Sequence, residues 1–337
     1  LSAANRFQKR FAVLLLIIYY TLLFLEAETF GSNCYNGNNM KLETVLITGG
    51  TGLMGKGIEE TAPTHASTII THLHEYTPAG RSKYITADVL DKAAMRSIFE
   101  KYRFDAVVHC AGIANVDVVE RNQSESETAT IAGTKNIVHL CKEFSSYLIY
   151  VSTNAVFDGR NAPYGEDAPV CPINAYGRIK TACEKLAATE LENCSIARPI
   201  LMYGWNRPET RKNPVSWMVE TLRTGKPLKL VNDVFENPLY NIQCGKTIWA
   251  MLEKKPKGVV HIAGKDIMNR YDFGLKVAEV FGLDKNLIIP VDSSFFPEIA
   301  PRPKNTSFIT RRMEKELGID PMPAETALKD MLKTEPR

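Results

Sequence analysis

Between residues 44 and 263, short apolar runs alternate with stretches of helical periodicity. The runs Thr44–Thr48, Thr68–His72, Ala106–Cys110, Tyr147–Ser152, Ser195–Ala197 and Val259–Ala263 are rich in β-branched residues and little interrupted by polar ones. A strand that reads as a nearly continuous apolar run is covered on both faces, the condition of a parallel sheet enclosed by helices; a half-exposed antiparallel strand would alternate. Helical stretches over Lys92–Tyr102, Thr128–Glu143 and Ala175–Glu190 separate the runs. This alternation predicts βαβ units and an α/β fold built on a doubly wound parallel sheet.

The first chemical motif stands at the end of the first predicted strand. Thr48-Gly49-Gly50-Thr51-Gly52-Leu53-Met54-Gly55 follows the strand VLIT and precedes a predicted helix from Lys56. Glycines at 49, 52 and 55 permit a tight turn, close approach of backbone to a diphosphate, and close packing of helix on strand, while the helix N-terminus offers unpaired N–H groups to phosphate. The strand-loop-helix context predicts dinucleotide binding and a Rossmann-type sheet. Gly49, Thr51, Gly52, Leu53, Met54 and Gly55 are therefore the expected cofactor residues. The run Lys83–Ala87 delivers Asp88 and Val89 where a strand end would place them near the adenine; a helix N-cap is the alternative for Asp88. The second predicted strand ends in Thr71-His72-Leu73-His74 where a carboxylate would contact the ribose 2′-OH of NAD, and Glu75 comes late. His72, His74 and Arg81 suit a 2′-phosphate, so NADP(H) is favoured and NAD(H) stays open, as does a reading of the histidines as solvated loop residues.

Tyr176-Gly177-Arg178-Ile179-Lys180 opens a predicted helix. A spacing of four places phenol and ammonium on one helical face. A neighbouring cation and a positively charged nicotinamide both favour the phenolate, so Lys180 and the cofactor are expected to lower the pKa of Tyr176 and make it a usable proton donor. The strand Tyr147–Ser152 runs into Thr153 and Asn154, and parallel sheets place ligands at the carboxyl ends of their strands. Thr153, Tyr176 and Lys180 are accordingly the expected catalytic trio.

These pieces resemble the extended short-chain dehydrogenase/reductases and, within them, the dTDP-4-dehydrorhamnose reductase-like proteins, from Met40 to about Met331. The resemblance rests on the glycine loop at Thr48–Gly55, VHCAGIANVD at Val108–Asp117, VSTNAVFDG at Val151–Gly159 and NAYGRIKTACEKL at Asn174–Leu186. ARPILMYG at Ala197–Gly204, NPLYN at Asn237–Asn241, VVHIAGKD at Val259–Asp266 and APRPKNTSF at Ala300–Phe308 extend it. It implies that Thr153 holds a substrate carbonyl, that Tyr176 donates the proton, and that Lys180 also binds the nicotinamide ribose. Ala111 and Gly112 would pass beside the cofactor, with Pro199 near the nicotinamide. Phe157, Trp205 and Arg302 would join Thr153 and Tyr176 at the substrate. The family's Ser-Thr-Asp reads Ser152-Thr153-Asn154, its Asn before Gly-Thr is Thr130 beside Gly133-Thr134, and its Leu-Asp near the C-terminus is Phe308-Ile309. The implied activity is NADP(H)-dependent reduction of a keto group on a nucleotide-linked sugar, as in dTDP-rhamnose biosynthesis. The alternatives are an NAD-dependent sugar-nucleotide epimerase or dehydratase, and a non-catalytic NADP-binding regulatory subunit resembling that of methionine adenosyltransferase.

Three parts are expected. Residues 1–39 form an apolar extension outside the fold, 40–202 with 236–264 a dinucleotide-binding domain, and 203–235 with 265–337 a smaller, discontinuous α/β substrate domain. Inter-domain clefts commonly take ligands, and Trp205, Arg207, Trp217, Arg302 and Lys304 are candidates there for a base or diphosphate, each alternatively a packing or solvated residue. The net charge of +3, left by 41 basic and 38 acidic residues, implies neither nucleic acid nor a membrane surface. The expected partner is a small nucleotide sugar, with a homodimer an assembly open to the chain. Seven cysteines without a C-x-x-C pair predict reduced thiols and no metal. Phe11–Leu25, an uncharged apolar run after Arg6, Lys9 and Arg10, has the layout of a signal-peptide core or membrane anchor. The positive-inside rule would then carry the rest of the chain away from the cytoplasmic nicotinamide pool. Met40 stands directly before the first strand, so translation is expected to start there in a cytoplasmic protein, a real anchor at residues 11–25 being the alternative.

Overall fold

A computed structural model describes residues 44–73, 80–208, 210–296 and 300–336. The expectations placed on residues 1–39, His74 and Glu75 fall outside these. Among the described residues, no helix is long and apolar enough to cross a membrane.

Residues Leu42–Arg337 form one compact unit around a seven-stranded sheet. Its strands are β1 (Thr44–Thr48), β2 (Ser67–His72), β3 (Lys83–Thr86), β4 (Ala106–His109), β5 (Tyr147–Val151), β6 (Cys194–Pro199) and β7 (Gly258–Ile262). All pairs are parallel, in the order β7-β6-β5-β4-β1-β2-β3. The chain winds outward one way from β1 through β3, then crosses back to β4 beside β1. The crevice at that reversal, at the carboxyl ends of β1 and β4, is where doubly wound sheets bind ligands. The α/β Rossmann-type expectation is met.

Helix α1 (Leu53–Glu60) covers one face of the sheet. Helices α2 (Lys92–Tyr102), α3 (Val116–Arg121), α4 (Gln123–Glu143) and α5 (Ala175–Glu190) cover the other. Strand residues divide accordingly: Val45 and Ile47 join one core and Leu46 the other, all fully buried, which explains the absence of alternation in the sequence. Helix α4 begins at Gln123 rather than Thr128, because its first turn is exposed and polar and carries no apolar period.

A third core is built by α6 (Pro214–Arg223), α8 (Arg270–Phe281) and α10 (Ala324–Lys333) around the paired strands Leu228–Val231 and Ile288–Val291. Between α6 and α8, helix α7 (Asn241–Lys254) returns to the first face of the sheet, and the short α9 (Arg311–Lys315) packs beside β7. Gly57 and Gly245 bring α1 and α7 together: a Cβ on either would overlap a backbone oxygen of the opposing helix, Asn241 O or Gly57 O. The Trp249 indole N–H donates to Ile58 O at 2.8 Å and fixes that register. Helix α1, and with it the glycine turn, is thus held from behind.

Candidate active site

At the carboxyl end of β1 the chain turns through Gly49, whose φ of +63° is a left-handed conformation that favours glycine. Gly52 caps α1 without a side-chain hydrogen bond, and the first turn of α1 holds no acid. The first-turn N–H groups and the positive end of the helix dipole therefore remain available to an anion. Gly55 has a packing role, since a Cβ there would overlap the Gly50 backbone.

The turn faces two cavities. One, of about 390 Å³, is lined by Gly49 and Thr51 from the turn, His72 from β2, Asp88 and Val89 after β3, and Ala111 and Gly112 after β4. Asp91, not Asp88, caps α2, accepting from Ala93 N and Ala94 N at 3.0 and 2.9 Å. Asp88 stays on the cavity wall with its carboxylate accepting from Leu90 N at 2.9 Å. Arg81 donates to the carbonyls of Ala62 and Pro63 instead of lining this cavity with His72.

A second cavity, of about 1000 Å³, takes Gly52 and Leu53 from the turn, Ser152 and Thr153 after β5, Tyr176 from α5 and Pro199 from β6. A third, of about 360 Å³, shares Thr153 and Tyr176 with it and adds Arg302. Thr153 and Tyr176 meet because of local packing. Asn174 caps α5, accepting from Gly177 N at 2.8 Å, and donates to Pro301 O at 3.0 Å. Gly177 lets the first turn of α5 press against the turn Asn154–Val156, where a Cβ would overlap Ala155 O. Thr153 and Tyr176 thus stand together on the walls of both cavities.

Lys180 lies one turn behind Tyr176, its Nζ donating to Val151 O at 2.8 Å and lying 4.9 Å from the centroid of the Tyr150 ring. Burial pushes its pKa down, and the electrostatics of Cys183, Cys110 and Glu184 offset this only in part. Burial also pushes the Tyr176 phenol up, only partly offset by Thr153. The expected lowering of the Tyr176 pKa by Lys180 is therefore corrected. The spacing argument counted the ammonium charge but not the desolvation of either group, and desolvation dominates both.

Two residues expected at the substrate lie elsewhere. Phe157 is fully buried, stacked on Tyr164 with ring centroids 4.0 Å apart. It follows the Asn154–Val156 turn and is drawn into the core beneath it. The Trp205 indole donates to Met331 O at 2.7 Å and meets Phe281 edge-on, in the third core. The Met54 side chain is also buried, beside Cys110, which leaves only its backbone to face a ligand. Of the other cleft candidates, Trp217 lines the large cavity, Lys304 pairs with Asp233, Arg302 pairs with Asp117 at 2.8 Å, and Arg207 is buried against Glu59.

The structure adds residues that sequence reasoning missed. Glu236 and Arg270 line both cavities that Thr153 and Tyr176 share, with Arg270 Nη2 at 3.4 Å from the carboxylate. The Asn154 amide donates to Glu236 Oε1 at 3.1 Å and to Thr306 Oγ1 at 2.7 Å. Glu236 lies in the two-residue strand Phe235–Glu236, paired antiparallel with Met268–Asn269. Such short strands leave no periodic trace, and the quoted NPLYN segment begins one residue too late to include it.

The chain matches the family model for the RmlD substrate binding domain over residues 43–336. It is 26% identical over 310 residues to methionine adenosyltransferase 2 subunit beta of Danio rerio, covering 88% of this chain and 94% of the relative. It is also 26% identical over 279 residues to the probable low-salt glycan biosynthesis reductase Agl14 of Haloferax volcanii, covering 81% and 92%. Among solved structures, the dTDP-4-dehydrorhamnose reductase of Bacillus anthracis in complex with NADP superposes with a TM-score of 0.77, at 22% identity, over 88% of this chain and all of that one. The chain belongs to the RmlD substrate-binding-domain family of extended short-chain dehydrogenase/reductases.

Proposed function

We propose that the protein binds a nicotinamide dinucleotide along Gly49–Gly55 and reduces a keto group on a nucleotide-linked sugar. The observation that carries the reading is the meeting of Thr153 and Tyr176 on the wall that they share with Gly52, Leu53 and Pro199. The residues present fit the dinucleotide: the α1 N-terminus is uncapped by any side chain, and the turn opens on one cavity through Thr51 and on the other through Leu53. Bound there, the nicotinamide ring would supply the hydride. NADP(H) is favoured because His72 lies on the wall of the smaller cavity.

Within this reading, Thr153 Oγ1 donates a hydrogen bond to the substrate carbonyl oxygen, and Tyr176 Oη gives that oxygen its proton. The raised pKa of Tyr176 keeps the phenol protonated, in the form required of a donor, through neutral pH. Lys180 anchors the strand end and would hold the cofactor ribose, and the phenolate that the transfer leaves on Tyr176 regains its proton from solvent. Glu236, steadied by Asn154, accepts hydrogen bonds from sugar hydroxyls.

A second reading is favoured by the likeness to methionine adenosyltransferase 2 subunit beta: a subunit that binds the dinucleotide without turnover. Purified protein offered a panel of nucleotide 4-keto sugars with NADPH or NADH separates the readings. The reductase consumes the reduced nucleotide in step with one sugar. An epimerase or dehydratase converts sugar without net consumption. Tight nucleotide binding with no conversion of any sugar, in a protein that co-purifies with a larger enzyme, would overturn the reductase reading in favour of the subunit.

A further inference from the structure

The segment Tyr203–Asn213 forms part of the wall of the large cavity, through Asn206, Thr210, Lys212 and Asn213. It is tied to α6 by the Asn213 cap, which accepts from Val215 N at 3.1 Å and donates to Gly204 O at 2.6 Å. From its middle Arg207 reaches back to the glycine turn. The guanidinium is only 6% exposed, and its Nη2 lies 2.5 Å from Glu59 Oε2, itself 8% exposed, near the end of α1. Tyr84 Oη donates to the same carboxylate oxygen at 2.6 Å, and Ser82 N to the other at 3.3 Å. Gly80 leaves room for the carboxylate, which a Cβ there would overlap.

A buried ion pair is a weak device for stability, because desolvation offsets most of its attraction and an apolar pair of equal volume serves as well. What an apolar pair would not supply is the donor on the second terminal nitrogen. Arg207 Nη1 donates to Gly50 O at 2.8 Å, across 157 positions of sequence. Gly50 lies between Gly49, already in a left-handed conformation, and Thr51. The Gly50 N–H is held by Thr71 O at 3.3 Å, and with glycine at 50 the peptide plane that follows meets little steric limit to its rotation. In a trans peptide the carbonyl and the following N–H point in opposite directions. Holding the Gly50 carbonyl on Arg207 therefore sets the Thr51 N–H away from Arg207, and Thr51 lies on the wall of the smaller cavity.

We infer that Arg207 is a positioning residue: it presets the glycine turn for the dinucleotide through the Gly50 carbonyl and couples that turn to the wall of the catalytic cavity. The inference rests on the dinucleotide reading above. It adds a residue of the substrate-side segment to the determinants of cofactor affinity, and Tyr84, whose ring meets His72 edge-on at 6.2 Å, extends the same cluster to the smaller cavity.

The test uses two variants. Arg207→Met combined with Glu59→Gln removes both charges together and leaves no unpaired ion. Arg207→Lys keeps the charge beside Glu59 but lacks the second nitrogen that reaches Gly50, and it serves if the double variant does not fold. Dissociation constants for NADPH and NADH are measured by calorimetric titration, and amide hydrogen exchange is followed in the nucleotide-free proteins. Both variants are expected to weaken binding about tenfold or more, the range set by losing a hydrogen bond from a charged donor. Exchange is expected to quicken at residues 49–56 and 204–213 and to stay unchanged in β4, β5 and β6. Equal affinity in wild type and variants overturns the inference, as does exchange that quickens everywhere together, which is the mark of a merely structural pair. Wild type that binds neither nucleotide removes the dinucleotide reading, and the role of Arg207 falls with it.

Discussion

At the glycine turn the groups offered to a ligand are backbone: N–H groups of the first turn of α1, set by a left-handed Gly49 and by the packing of Gly55 on Gly50. At the far end of the large cavity the groups are side chains, Thr153 and Tyr176, carried to each other by a strand end and a helix start. The two ends differ in what a substitution does. In a site made of backbone, any added atom acts on packing and affinity at once. In a site made of side chains, one functional group can be removed while the scaffold stays, so chemistry separates from binding.

Tyr176→Phe gives the largest expected effect and the sharpest test of that separation. It deletes one oxygen from the cavity wall and leaves Asn174, Gly177 and the first turn of α5 in place. Turnover should fall by roughly 10²- to 10⁴-fold, the usual contribution of a positioned proton donor, while calorimetry finds NADPH binding as in wild type. The accompanying pH profile has a stated sign. Because burial raises the phenol above its ordinary value, wild-type kcat/KM for reduction should stay level across neutral pH and decline only on the alkaline side of about 10, as the donor is lost. A decline beginning near neutrality would assign the proton to another group.

Gly55→Ala is the counterpart at the backbone end. The methyl group would overlap the Gly50 carbonyl, so the turn must shift relative to α1, which is itself pinned against α7 by Gly57, Gly245 and Trp249. The expected cost is about 1–3 kcal/mol of folding stability, the range for overpacking a tight site, read as a lower melting temperature. Nucleotide affinity should fall in the same variant. Loss of one without the other would contradict the view that fold and binding share this backbone.

The same difference explains what was legible in the sequence. Glycine is the only residue that permits the turn, so the backbone end advertises itself in a fixed pattern, and Gly49, Thr51, Gly52 and Leu53 all face the cavities. The spacing of Tyr176 and Lys180 gives one helical face, as a count of four does, yet only Tyr176 lines the cavities, while Lys180 Nζ turns to Val151 O. Phe157 was not readable: whether an aromatic after a strand end points to a cavity or beneath it depends on the Asn154–Val156 turn and on Tyr164, which no local pattern encodes. Glu236 was missed because it arrives on a two-residue strand, and Arg270 because it opens α8 directly after that strand's partner, Met268–Asn269; the pairing spans a long sequence separation. The pKa direction of Tyr176 was missed because charge can be counted along a sequence and burial cannot.

Trp205→Phe carries the smallest expected effect, and it probes a third situation, a side chain that stands near the site in sequence yet serves packing alone. Its indole N–H donates to Met331 O near the end of α10, and its ring lies against Phe281. Phenylalanine keeps an aromatic ring against Phe281 but drops one donor, and Met331 O still accepts from Thr334 N and Oγ1 at 3.2 and 3.1 Å. The cost should be about 1 kcal/mol, the typical net worth of one hydrogen bond, seen as a small drop in melting temperature. Nucleotide affinity and turnover should be unchanged, since Met331 and Phe281 belong to the third core. Were Trp205 instead a platform for the base of a nucleotide sugar, the same substitution would raise the KM for that sugar with melting unaltered, the reverse pattern on the two measurements.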